Sequence, residues 1–123
     1  MENNNEIKSK KIEFNISTSY LDDLVDKIDK KDLSAVDSLL AKLHPSDIAE
    51  VISNLPEKKR FELIALENFK INPHVIVELT DELQKDILEK ISSDRIVKIV
   101  NSLESDNALQ IIENLTDEKK DRV

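Results

Sequence analysis

The sequence predicts an all-α protein, a superhelix (solenoid) of about eight short helices. Three observations predict it. The chain contains no glycine, its aliphatic residues recur with a fixed period of twelve, and each period opens on residues that start helices. A β-sandwich or α/β fold without glycine would lack the usual occupant of its positive-φ turns. A charged content of 36% with abundant Leu, Ile, Glu and Lys, against 3% aromatic residues, reads as helix. The length of 123 residues accommodates one domain. Folding a chain of this size buries roughly two-thirds of the surface its unfolded form exposes, enough for a core.

Residues 1–19 are rich in Asn and Lys and lack a helical period, so they read as a mobile tail preceding a helical domain over 20–123. Within the tail, "IEFNI" at 12–16 alternates apolar and polar residues and could order against the body. From Tyr20 the pattern changes. Leu21, Leu24, Val25 and Ile28 fall at i, i+3, i+4 and i+7, the single apolar stripe of a short helix. "KKD" at 30–32 interrupts it, and a second stripe follows through Leu33, Val36, Leu39, Leu40 and Leu43.

From Leu43 the twelve-residue period takes over. Units starting at 43, 55, 67, 79, 91, 103 and 115 open on Leu, Leu, Glu, Leu, Ile, Leu and Leu, and the exception, Glu67, has Leu66 beside it. The ninth and tenth residues of the six complete units are Val51-Ile52, Leu63-Ile64, Val75-Ile76, Ile87-Leu88, Ile99-Val100 and Ile111-Ile112. All twelve are aliphatic, an outcome that a 39% hydrophobic chain would give by chance about once in 10⁵ draws. Each unit begins with turn or cap residues. Pro45, Pro56 and Pro73 stand where a first helical turn can spare an N–H. Thr80, Ser92 and Thr116 are natural N-caps, followed by acids in the positively polarised first turn. The remaining eight or nine residues of a unit make a helix too short to persist alone, so each stripe must stack on its neighbours. The pattern fixes a curl of either hand.

Charge and composition narrow the function. Glu2, Glu6 and Glu13 balance Lys8, Lys10 and Lys11 in the first nineteen residues, so the whole formal charge of −8 lies on residues 20–123. That sign disfavours nucleic acid, whose phosphates need cationic partners. It suits cations or basic protein surfaces. The chain has no Cys, hence no disulfide or thiolate site, which fits the cytosol. No apolar run is long enough to span a bilayer, and the amino terminus lacks a signal-peptide core.

The catalytic inventory is thin. His44 and His74 are 30 residues apart, each beside a proline at a helix start, and form no His-x-x-x-His pair. No Gly-rich loop exists to cradle phosphate. The acidic pairs Asp22/Asp23, Asp81/Glu82 and Asp117/Glu118 are expected at turns, in water, where nothing separates their pKa values into acid and base roles. The inventory points away from an enzyme. Outward carboxylates at helix starts can still serve a hard cation, since Mg²⁺ keeps several waters and often takes only one or two protein carboxylates.

The stretch "KLHPSDIAEVISNLPEKKRFELIALE" at 42–67 resembles the start of the cytoplasmic N-terminal domain of MgtE-type magnesium transporters. That family's pattern is Leu-His-Pro-x-Asp-Ile-Ala-Glu followed by Leu-Pro-x-x-x-Arg. His44, Pro45, Asp47, Ile48, Ala49, Glu50, Leu55, Pro56 and Arg60 match it as they stand. The resemblance extends over 20–123, with "KKDLSAVDSLLAKL" similar to the family's preceding helix. It implies a right-handed superhelix followed, in full-length members, by a pair of CBS domains and a dimeric transmembrane pore in the cell membrane. It further implies that Mg²⁺ bridges carboxylates between the acidic N domain and the CBS domains and so holds the pore shut. Of the three positions at which the family places acidic ligands in this domain, Asp106 matches the first, and the second and third fall on Gln110 and His74. The implied metal residue is therefore Asp106, with Mg²⁺ bound weakly where the CBS partner is absent. The sequence ends at Val123 before any CBS or membrane segment, so it is expected to be a regulatory domain or fragment that does not itself transport. The competing expectation is a helical protein–protein interaction module, similar to domains of flagellar motor switch and export-chaperone proteins, with no metal role.

Overall fold

The periodic segments become helices separated by very short connections. The computed structural model describes residues 17–122. Among them are nine helices: α1 (Thr18–Asp29), α2 (Leu33–Leu40), α3 (Pro45–Asn54), α4 (Glu57–Ala65), α5 (Pro73–Glu78), α6 (Asp81–Lys90), α7 (Ser93–Asn101), α8 (Ser105–Glu113) and α9 (Asp117–Arg122). No strand occurs among the described residues. The "IEFNI" segment and most of the expected tail lie outside them. The first helix begins at Thr18 rather than Tyr20 because Ser17 caps it, its Oγ accepting the Tyr20 N–H at 3.0 Å.

The expected helix starts are realised. Thr80, Ser92 and Thr116 each accept, through the side-chain hydroxyl, the N–H three residues on, at 3.3 Å in every case. Asp32 caps α2 in the same way, accepting from Ala35 at 3.1 Å. Pro45 and Pro73 occupy the first helical position, whereas Pro56 stands one place earlier, as the N-cap of α4. Asp22 and Asp23 depart from expectation. They lie inside α1 rather than at a turn, because the Ser17 cap places the helix start four residues before them.

The twelve-residue marks form the core. Of the six aliphatic pairs, the first four are fully buried, while Val100 and Ile112, the second members of the last two, are half-buried. Glu67, the unit opening that broke the pattern, is exposed, and Leu66 is buried in its stead. The reason is local. After α4 the chain runs through an extended connection in which Phe69 and Ile71 are buried, and α5 starts only at Pro73, leaving a helix of six residues. Asn68, at φ 69°, turns this connection in the left-handed region, which an Asn tolerates better than most residues.

Alternate helices stack. α3 packs on α5 and α4 on α6, while α1 packs on both α2 and α4 and α7 on α8. Stacking of next-but-one units is what a two-layered solenoid requires. Side chains tie successive layers at a regular interval. Lys59 Nζ donates to Asp29 Oδ1, Arg95 Nη2 to the Phe69 carbonyl, Asn114 Nδ2 to Gln84 Oε1, and Lys119 Nζ to the carbonyls of Leu88, Glu89 and Ile91. These partners are 26 to 31 residues apart, so the chain returns to itself after between two and three units. Lys59, Arg95 and Lys119 all occupy the fifth position of their units.

The sixth position carries a second device. Arg60 donates from Nε to the Ile52 carbonyl at 3.2 Å and from Nη2 to the Leu55 carbonyl at 3.1 Å. Two units later, fully buried Gln84 donates from Nε2 to the Ile76 carbonyl at 2.8 Å. Each adds a side-chain bond to the last carbonyls of the preceding helix, those of Ile52 and Ile76 also accepting the N–H of Leu55 and Leu79.

Candidate functional site

Asp106 is the second residue of α8 and is exposed in its first turn, where the helix's positive end favours a carboxylate. Helical spacing sets Asp106, Leu109, Gln110 and Glu113 at i, i+3, i+4 and i+7, one stripe along the helix. All four are exposed, whereas Ile111 on the inner side is completely buried. Leu109 retains 56% of its accessible surface and is the large hydrophobic residue most conspicuously left in water. The stripe is thus an apolar side chain set among a carboxylate at each end and an amide.

Four carboxylates elsewhere, those of Asp23, Asp26, Asp29 and Glu62, are paired with lysines. On α1, Lys27 lies 3.2 Å from Asp23 and 3.3 Å from Asp26, and Lys30 lies 3.1 Å from Asp26. Hydrogen bonds from Lys30 and then Lys27 hold the Asp26 carboxyl below its ordinary range. Asp23 and then Asp26 raise the Lys27 ammonium above its own. Lys59 is raised likewise, chiefly by its bond to Asp29 and next by Glu62. Among the described residues, neither Asp106 nor Glu113 takes part in an ion pair.

The donor set on α8 fits a hard cation in kind. The Asp106 carboxylate and the Gln110 amide oxygen, one turn apart, are both oxygen ligands of the type Mg²⁺ accepts. Two donors on one helix face leave most of an octahedral sphere to water or to another surface. His74 fits less well. It is exposed in the first turn of α5, its backbone N–H donating to Asn72 Oδ1 at 2.9 Å, and its imidazole offers nitrogen. No group of three or more His, Cys, Asp or Glu side chains placed to hold a metal occurs among the described residues. No helix of the described residues is long and apolar enough to cross a membrane.

Leu109 escaped the sequence reading for a physical reason. It stands in the run "ALQII", whose composition reads as core, and only its position about 200° round the helix from Ile111 places it outside. The nine motif residues from His44 to Arg60 prove structural where their contacts are resolved. Ala49 is buried, Pro45 starts α3, and Arg60 closes its other end.

A comparison with protein-family models matches residues 43–123, about two-thirds of the chain, to the family described as the MgtE intracellular N domain. The match begins at Leu43, the first mark of the twelve-residue period, and leaves α1 and α2 ahead of it. Comparisons with curated proteins and with solved structures give no match.

Proposed function

The chain belongs to the MgtE intracellular N domain family, and from that premise we propose that it is the cytoplasmic regulatory domain of a magnesium transporter. In this reading, Mg²⁺ is shared between the outward face of α8 and a pair of CBS domains in the same polypeptide. The bridge draws the domains together and favours a closed pore in a dimeric, membrane-embedded parent.

The observation that carries the reading is the face of α8. It presents Asp106 without a cationic partner among the described residues, whereas Asp23, Asp26, Asp29 and Glu62 are paired with lysines. Coulomb repulsion between that face and an acidic partner falls when a divalent ion sits between them, and it reappears when the ion leaves. The chain's formal charge of −8 adds a longer-ranged repulsion of the same sign. The reading assigns no catalysis. Asp81, Glu82, Asp117 and Glu118 are exposed groups in first helical turns.

The test is a Mg²⁺ titration of this domain joined to its CBS pair, followed by scattering or protease resistance, against monovalent salt of matched ionic strength. Compaction specific to Mg²⁺ at a concentration on the order of millimolar supports the reading. Equal behaviour in both salts overturns it. The isolated 123-residue chain should bind Mg²⁺ only weakly, because most of the coordination sphere comes from outside it. The second reading, a protein-docking module with no metal role, draws on the exposure of Leu109. It predicts that Leu109→Ala weakens association while Mg²⁺ changes nothing.

A further inference from the structure

An acidic domain carries a cleft of the opposite sign. Between the α4–α5 connection and α7 lies an open cleft of about 500 Å³, lined by Lys70, Arg95 and Lys98 against a single acid, Glu67. Three cations less one carboxylate give a local charge of +2 in a chain whose formal charge is −8. Phe69 and Ile99, each 6% exposed, show their last apolar surface there. Arg95 is held in place, its Nη2 donating to the Phe69 carbonyl at 3.2 Å. Lys70 and Lys98 are exposed and, among the described residues, make neither a hydrogen bond nor an ion pair.

We propose that this cleft docks an acidic peptide segment of a partner protein, carboxylates meeting the cations and apolar side chains covering Phe69 and Ile99. Charge complementarity selects the occupant. A domain of net negative charge repels an acidic partner over much of its surface, so association is steered toward a cleft of the opposite sign. Nucleic acid is a poorer fit, since a net +2 does not offset the repulsion of phosphates by the rest of the domain. A small-molecule site needs convergent, fixed polar groups to orient its ligand. Here two of the three cations are free lysine side chains, the kind found on the polar rim of a protein interface. A solenoid of stacked short helices also offers its grooves naturally to extended segments. The proposal needs no metal and stands apart from the α8 face.

Selection of a random dodecapeptide phage library on the 123-residue chain, counter-selected on a Lys70→Glu/Lys98→Glu variant, tests it. The expected result is enrichment of peptides combining several Asp or Glu with apolar residues. A fluorescein-labelled copy of the winning peptide should bind about tenfold more weakly to the double variant. It should bind unchanged to Lys58→Glu, a control on the exposed side of α4, and in ¹⁵N spectra it should shift residues 66–72 and 95–99. Both charge reversals are on exposed side chains, and an unchanged helical circular dichroism spectrum checks that the variant folds. No enrichment over the variant, or enrichment of neutral or basic peptides, overturns the proposal. So does self-association of the chain that the double reversal abolishes, which would make the occupant a second copy. Tight binding of inorganic phosphate or citrate in place of peptide would also overturn it. None of these outcomes depends on Mg²⁺, so failure here and failure of the magnesium reading are separable.

Discussion

Lys31 shows what a chain without glycine does where a helix must end abruptly. The Asp32 N–H reaches back to the Lys27 carbonyl and the Lys31 N–H to that of Ile28, the paired bonds of a Schellman ending. That ending needs a left-handed residue, normally Gly, and here Lys31 takes φ 56°. Lys31→Gly should therefore stabilise the chain by about 0.5–1 kcal/mol, the relieved Cβ penalty exceeding the added freedom of the unfolded state. The midpoint of urea unfolding should rise at unchanged slope. Arg60 belongs to the same scale. The sequence identified it as a motif residue, and its contacts show it ending α3 by bonding the Ile52 and Leu55 carbonyls. Arg60→Ala should cost about 2 kcal/mol, and Arg60→Lys should recover only part of that, because an ammonium cannot reproduce the fork. An Arg60→Ala variant as stable as the parent would remove this role.

At the scale of elements, the helix starts were legible because caps are local chemistry. Thr80, Ser92 and Thr116 need only the next three residues to act. The aliphatic pairs were legible for a similar reason, since a period of twelve returns each pair to the same face of its own short helix. The late start of α5 was only hinted at by the misplaced Glu67, because nothing in the local pattern marks Phe69 and Ile71 as the buried residues they are. The cations of the α7 cleft were not legible at all. Lys70 and Lys98 are separated by more than two units and meet only through stacking. On α1 the Lys27–Asp26–Lys30 cluster makes a pH prediction. A carboxyl whose folded pKa lies below its unfolded value stabilises the fold above the ordinary Asp range, near pH 4, and loses that contribution as pH falls through the lowered value. Asp26→Asn should lower thermal stability modestly at neutral pH, leave it unchanged near pH 2, and so flatten the acid limb between about pH 4 and pH 2. An acid limb identical in slope to the parent's would show that the pairing adds nothing.

For the whole molecule, the ties of 26 to 31 residues make the solenoid one cooperative body. Lys119 bonds α9 back to the end of α6, and Asn114 joins the end of α8 to buried Gln84. The face of α8 is thereby held on a packed framework, as a shared ion site requires, since the partner must find its carboxylate in a fixed position. The family and the fold could be read from sequence because both rest on a repeated pattern. The proposed site could be read only as far as Asp106, because a magnesium ion that keeps its waters would impose no spacing on a chain that supplies only one or two of its ligands. The most direct measurement compares the domain joined to its CBS pair with its Asp106→Asn variant, following the Mg²⁺ midpoint of compaction by small-angle scattering. The account predicts a midpoint several-fold higher in the variant, with the same compact end state at saturation. A midpoint unchanged by the substitution would contradict it.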